Sequence, residues 1–526
     1  MSANTAWTNK ELDGIRALDV EVSKLVSKYL GGPWPQEQPF VPTQENLDAV
    51  NSEIASVSKK VSSLEDRFWR EHFTAALESL AFQIECNTKM PYEHITRLSS
   101  VLDRLLGRSG AQSTADRALE ISSKLAGIEA VVDAVDTLVS TRGTALAKSQ
   151  LADVLPALLK NLQRAVDFVS EHAGSAGVKS DGERAGAKAM AAVKRVLSKV
   201  RSIPIAEMDR VDIPFEVSVE KGMQAPLSYI LSWYEEDAKK RREEYFRIAE
   251  EMFPGQDPAV VEKGGGYDSI DALFKDMRRI LDHLQAECRR FVDLPEGEYC
   301  EIGLIPETWR MMVPGFMYMN GFVAINPDNL GSYSRVGLET TAAHEVYPGH
   351  HVHSVKSAKN ALPYTFRLPL FWSRCLQEGM CDRSMCLMTP YFKEPAARLS
   401  VAKRLWFTSN RVKSEVDIYY NKKPIKAIID NYMTNLGLPE YNAHAQTRAH
   451  LMRPADAISY YTGMKYLDDL YKERGGDLKA FTNEVFSYGQ IPLNTQKNIL
   501  SLTPAKKEQL RTFTANSTVN FTPEEG

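Results

Sequence analysis

Between Lys10 and Leu30 the apolar residues Leu12, Ile15, Leu18, Val22, Leu25 and Val26 recur with helical spacing. A 3.6-residue period lines one face of a helix with apolar side chains, and that face has to be buried against another element. The period resumes over 44–60, 64–87, 92–106, 114–140, 144–172 and 185–200. A chain that repeats this pattern through residues 1–200 folds by packing helix on helix. Gly31, Gly32, Pro33 and Pro35 predict a loop after the first helix, and the stretch from Gly174 to Gly182 reads as a Gly/Ser linker. His72, His94 and His172 are isolated and are expected at the surface or at helix caps. Residues 1–205 therefore read as a helical scaffold or wall.

Residues 201–222 are marked by Pro204 and Pro214 and read as extended, which makes them the best boundary between that wall and a region 206–526. Helices are expected again at 226–252 and 268–292. Short strands follow, within 296–306 and 314–326. A small sheet there could offer its edge to an extended peptide. Helices then run at 396–420, 424–436, 440–472 and 477–487, with Arg411, Lys413, Glu415 and Asp417 on a mostly solvated face. The tail after Asn516 is expected to fray.

The chemistry concentrates between Thr341 and His353. Of the chain's 10 histidines, His344, His350, His351 and His353 fall here, and Glu345 follows the first directly. Histidines beside a glutamate can supply imidazole ligands and a carboxylate base to one divalent ion. The zincin pattern H-E-x-x-H fails, because its second histidine position is Pro348. Two arrangements keep a metal site. In the preferred one, Pro348 and Gly349 bulge the helix so that His350 lands where the second ligand belongs. In the other, the helix stays regular and His351 returns to the face of His344, with roughly 10 Å of rise between them. A third ligand is offered by Glu378, set among apolar Phe371, Trp372, Leu376 and Met380. A carboxylate in such company needs a partner. The competing view is a helix junction carrying surface histidines.

These residues resemble the bacterial proteins catalogued as domain of unknown function 885, relatives of gluzincin-type zinc peptidases. The family pattern runs H-E-x-x-P-G-H-H, E-G-W-A, P-G-Q-A-x-x-Y-x-x-G and G-x-x-P-L. Here it corresponds to His344 through His351, Glu378 with Gly379, Pro454 through Tyr460 and Gly463, and Gly489 through Leu493. Pro314 to Asn320 is similar to the glycine–aromatic–Asn segment that precedes the metal helix. Departures stand at Met380, Cys381, Arg383 and Asp456, and no motif matches in 1–210.

The resemblance implies a mainly α, multi-helix zincin-like fold, with a small sheet beside the metal-binding helix and a deep groove. It implies a zinc-dependent, metallopeptidase-like hydrolase that cleaves an amide or peptide bond in a short peptide or peptide-like metabolite. The ligands would be His344, His350 (or His351) and Glu378. Glu345 would be the general base on a metal-activated water. Tyr460, adjacent to Tyr461, would donate to the oxyanion. His351, His450 and Arg453 are candidates for holding substrate, Arg being suited to carboxylates. Asp382 and Asp417 are candidates for steadying the ligands. Mn²⁺, Co²⁺ or Fe²⁺ could replace Zn²⁺. The alternatives are a small-molecule amidohydrolase or C–N bond-cleaving enzyme of specialised metabolism, and a non-catalytic helical protein with a vestigial site.

Composition narrows the partners. The net charge of −4 gives no bias toward nucleic acid or a membrane surface. No run of about 18 apolar residues predicts a membrane span. The six cysteines form no disulfide pattern and read as thiols of a reducing compartment. With no basic-then-apolar start, the expectation is a cytoplasmic protein, unlike the family's many exported lipoproteins. A homodimer is compatible with all of this.

Overall fold

The structure, a computed structural model, describes residues 6–30, 38–107, 113–263, 266–305, 310, 313, 315–319, 321–368, 370 and 373–515. The loop segment 31–37, residues Pro314, Asn320, Phe371 and Trp372, and the tail after Asn516 lie outside that description.

Seven long helices build the first part: Asn9–Leu30, Gln44–Ser62, Arg67–Lys89, Tyr92–Gly107, Thr114–Arg142, Ala145–His172 and Ala176–Leu197. Side-chain oxygens of Thr43, Asp66, Ser113, Thr144 and Ser175 cap five of their N-termini, satisfying N–H groups the helix itself leaves open. The expected linker from Gly174 to Gly182 is mostly helix. Ser175 starts it, and Gly182 and Gly186 let the helix lie against Val169 and Val166, where a Cβ would come within 2.6 and 2.1 Å. The supposed extended boundary is also partly helical, with Ile205–Glu207, Phe215–Val217 and Ser218–Met223 in short helical turns. Pro204 and Pro214 immediately precede the first two turns. A proline at a helix start sacrifices no hydrogen bond, so these prolines mark helix starts and not strands.

One continuous hydrophobic core runs from Trp7 to Phe513. The N-terminal helices reach into the second half through buried polar contacts. Asp19 accepts hydrogen bonds from the backbone N–H of Tyr364 (2.7 Å) and of Thr365 (3.0 Å). His72 bridges Thr365 and Thr495, at 2.9 and 3.3 Å. His72 and His94 are buried, not at the surface: His72 stacks on Phe68 and His94 packs against Tyr29 and Phe40.

In the second half, β1 (Glu301–Leu304), β2 (Phe316–Met319) and β3 (Phe322–Ile325) form a sheet in the order β1-β3-β2. β1 runs parallel to β3 and β2 antiparallel to it, with Tyr318 opposite Val323. The helices that matter most here are Arg335–Glu345, His350–Ala358, Arg374–Met388, Ala397–Tyr419 and Ser459–Arg474. The single helix expected over 440–472 is two, Glu440–Met452 and Ser459–Arg474. Between them Ala455 takes a left-handed φ of 70° and its N–H donates to buried Glu415. The face holding Glu415 and Asp417 is accordingly interior, not solvated.

Helices Arg374–Met388 and Ser459–Arg474 touch backbone to backbone. A Cβ on Gly379 would stand 2.2 Å from the Gly463 carbonyl carbon, and one on Gly463 would stand 1.8 Å from the Cys375 carbonyl oxygen. This explains the glycines in two of the sequence motifs. Only glycine lets the helix carrying Glu378 and the helix carrying Tyr460 cross at this distance.

Candidate metal centre

Helix Arg335–Glu345 carries His344 and Glu345 in its last turn and stops there, where Val346 leaves helical geometry. The Tyr347–Pro348 peptide is cis, and helix His350–Ala358 starts afresh at His350. The expected bulge in one continuous helix is therefore a break between two. Pro348 has no N–H with which to continue a helix. Gly349 packs on the backbone of His344, where a Cβ would lie 1.7 Å from its carbonyl oxygen. This contact holds the start of the second helix against the end of the first.

The break brings His350 to His344, with ring centroids 5.1 Å apart and planes nearly perpendicular. Glu378 faces both, its Oε2 lying 3.4 Å from Nε2 of His344 and 3.4 Å from Nε2 of His350. Two donors bound at about 2.0–2.1 Å to a tetrahedral ion sit roughly 3.3 Å apart, so these separations suit a divalent ion. Cys381 lies one turn along from Glu378 on the same helix. Ligand atoms of His344, His350 and Cys381 all lie within 4.8 Å of one another. Two imidazoles, a carboxylate and a thiol are a zinc-type donor set.

Asp382 is fully buried behind His344. Its Oδ1 lies 3.0 Å from Nδ1 of His344 and accepts from Nε of Arg404 at 2.8 Å. A carboxylate on the far ring nitrogen fixes the tautomer and turns Nε2 toward the cluster. Burial and the nearby Arg404 cation oppose a charged His344, but the hydrogen bonds to Asp382 and Glu378 outweigh them and lift its pKa to about 9. The two carboxylates thus favour a proton on His344. Burial disfavours the Glu378 anion, yet charge and hydrogen bonding from His350 and His344 hold its pKa well below the usual range. A bound ion would take over the role of those protons.

Glu345 points to the sheet. Its Oε2 accepts the backbone N–H of Tyr318 at 2.9 Å, so β2 fixes the carboxylate beside the cluster. This also occupies one donor of the β2 edge that was expected to meet a peptide. Tyr460 stacks at 6.2 Å on the His344 ring, with the guanidinium groups of Arg404 and Arg411 over its own ring at 5.7 and 5.3 Å. Burial and the Glu378 charge push its phenol pKa up, which keeps it a donor. Neighbouring Tyr461 faces away, accepting from Arg241 and donating to Asp237.

Other expected residues lie elsewhere. His351 is buried with Nε2 on Glu298 and Nδ1 3.3 Å from the Tyr318 hydroxyl, because successive positions on a helix point about 100° apart. Its ring is thus tied to Glu298 and to the sheet residue Tyr318. His450 is enclosed between Glu415 (2.8 Å) and the Tyr432 hydroxyl (2.7 Å). Arg453 pairs with Glu93 at 2.9 Å, and Asp417 with Lys413 and Lys423 at 2.6 and 2.9 Å. Arg404, Glu298 and Arg374, which lies 3.4 Å from Glu378 and 3.2 Å from Asp456, were missed by sequence reasoning. Nothing in their local pattern sets them apart from ordinary helix or loop charges. Cys381 could have been found, since it lies on the Glu378 face at i+3. A small cavity of about 10 Å³, lined by Met223, Arg374, Pro454 and Asp456, adjoins this region.

Two solved structures share the fold. One, described as a "putative lipoprotein" from Colwellia psychrerythraea, superposes with a TM-score of 0.72 at 16% identity, covering 93% of this chain and 98% of that one. The other, a "putative lipoprotein of unknown function" from Shewanella oneidensis, gives 0.71 at 15% identity, covering 94% and 98%. Among the described residues no helix is long and apolar enough to cross a membrane. No curated protein matches the sequence. The pattern of the bacterial proteins of unknown function DUF885 matches residues 41–498, and the chain belongs to that family.

Proposed function

We propose that this protein is a metal-dependent hydrolase of an amide or peptide bond, acting on a short peptide or peptide-like metabolite. The observation that carries this is the placement of one Glu378 oxygen 3.4 Å from Nε2 of both His344 and His350, with Glu345 next in the chain. A divalent ion held by these donors, most simply Zn²⁺, supplies Lewis acidity and an activated water. Glu345, steadied through Oε2 by the Tyr318 N–H, takes the water's proton on Oε1 and delivers it to the leaving nitrogen. Tyr460 keeps its phenolic proton and donates to the oxyanion. Asp382 holds the His344 ring so that Nε2 faces the cluster. A cytoplasmic location and a homodimeric state belong to the same proposal, and neither is needed for the chemistry.

The test is a library of short peptides and small amides offered to wild-type protein, chelated protein, chelated protein resupplied with Zn²⁺, and Glu345→Gln. Cleavage that chelation abolishes, Zn²⁺ restores and Glu345→Gln loses by about 10²–10⁴-fold supports the reading. Cleavage that survives in Glu345→Gln refutes it. The library's amide arm decides between a peptidase and a small-molecule amidohydrolase, the reading that Asp456 beside Arg374 favours by altering the charge next to Glu378.

A further inference from the structure

Resting on the metal site proposed above, we propose that Cys381 is a direct ligand of the ion, which is then held by two imidazoles, one carboxylate and one thiolate. The geometry points there from two sides. First, the Cys381 sulfur and one nitrogen from each of His344 and His350 lie within 4.8 Å of one another. Drawing three donors of that spread onto one ion takes movements of an ångström or less, well inside side-chain freedom. Second, Cys381 is fully buried on the helix that also carries Glu378 and Asp382, so its sulfur is shut off from solvent on the side of the cluster.

The placement follows from the helix. Glu378 and Cys381 are three residues apart and so share a face, while Asp382, one position further, reaches the other side of the His344 ring. One helix therefore brings a ligand carboxylate, a ligand sulfur and the carboxylate that orients His344. Gly379, between them, seats this helix on Gly463 and fixes its rotation.

On binding, the Cys381 S–H bond breaks, the sulfur's electron pair goes to the ion, and the proton passes to solvent; nothing is oxidised. A thiolate is a soft ligand, so the set favours Zn²⁺ and Co²⁺ over Mn²⁺ or Mg²⁺, which prefer oxygen. Four protein ligands would close the site as in structural zinc, so hydrolysis would need the attacking water to enter as a fifth ligand, an expansion that catalytic zinc sites sometimes make in the transition state.

The test is spectroscopic and uses the full chain, stripped of metal by chelation and titrated with Co²⁺. Far-ultraviolet circular dichroism checks that each variant keeps its helices, and Cys381→Ser accompanies Cys381→Ala as a near-isosteric change. The expected result is two sets of bands in wild type: visible ligand-field bands from tetrahedral Co²⁺ and a near-ultraviolet thiolate-to-cobalt charge-transfer band. Both variants should keep the first set and lose the second, and the preference for Zn²⁺ over Mn²⁺ in competition should fall. Ligand-field bands in wild type with no charge-transfer band would overturn Cys381 as a ligand and leave the metal site standing. A charge-transfer band that persists in Cys381→Ala would overturn it as well, assigning the sulfur elsewhere. No Co²⁺ binding in wild type would overturn both this inference and the metal site on which it rests.

Discussion

Gly463→Ala tests whether the crossing of the two site helices is as tight as the structure makes it. The added methyl would stand 1.8 Å from the Cys375 carbonyl oxygen, 2.7 Å from its carbon and 3.0 Å from Gly379 Cα. These are backbone atoms, so no side chain can swing aside, and the helices must part by an ångström or more. Leu376, Met380, Met464 and Leu467 pack on either side of the crossing and are all buried, so separation loosens each of them. Overpacking of this kind costs about 3 kcal/mol. Alanine's better helix propensity returns about 1 kcal/mol. The net expectation is a loss of roughly 2 kcal/mol, together with displacement of Tyr460 from the His344 ring. Gly14→Ala is the internal control: it sits in an exposed helix interior with nothing within 4 Å of the new Cβ, so it should stabilise by up to about 1 kcal/mol. Urea denaturation followed by circular dichroism, with m-values compared, measures both. If Gly463→Ala is as stable as wild type while Gly14→Ala behaves as expected, the close crossing is wrong.

Other expectations concern single groups. Burial lowers the pKa of His72 and of His94 to about 3, from an ordinary value of 6.5. The unfolded chain therefore takes up protons below pH 6.5 that the native chain refuses, so stability falls with pH, by up to about 1.4 kcal/mol per unit for each histidine. Urea midpoints at pH 7 and pH 5 should differ accordingly, and equal midpoints would count against neutral buried histidines. Ala455→Gly should be neutral or stabilising by about 1 kcal/mol, because φ of 70° strains alanine; a clear loss in thermal melting would contradict this. Asp382→Asn should weaken Zn²⁺ binding about 10–100-fold in calorimetry without unfolding the chain, whereas Asp417→Asn should leave the affinity unchanged. Tyr460→Phe should retain metal and lose about 10²–10³-fold in turnover, and Tyr461→Phe should keep near wild-type turnover.

Helix existence was legible because an apolar stripe is a local pattern. Boundaries were less so: Pro204 and Pro214 read as extended markers, yet each begins a helical turn. The stretch from Gly174 to Gly182 read as a flexible linker, yet Gly182 is packed against Val169. At the site, spacing pointed to His344, His350 and Glu378, and these three do converge. It could not decide how the chain passes Pro348, since the packing of Gly349 on the His344 carbonyl is a contact in space. Nor could it place Arg404 or Glu298, whose partners are 60 and 53 residues away in sequence. His450 and Arg453 looked available because Glu415 and Glu93, which enclose them, come from other helices.

The central claim is that His344, His350 and Glu378 bind a divalent ion, and metal content measures it most directly. Elemental analysis of purified wild-type protein should find about one divalent ion per chain. His344→Ala and Glu378→Ala, folded by circular dichroism, should each lose it, as should the double variant. A wild type free of divalent metal even after incubation with Zn²⁺, or variants that keep a full ion, would contradict the account.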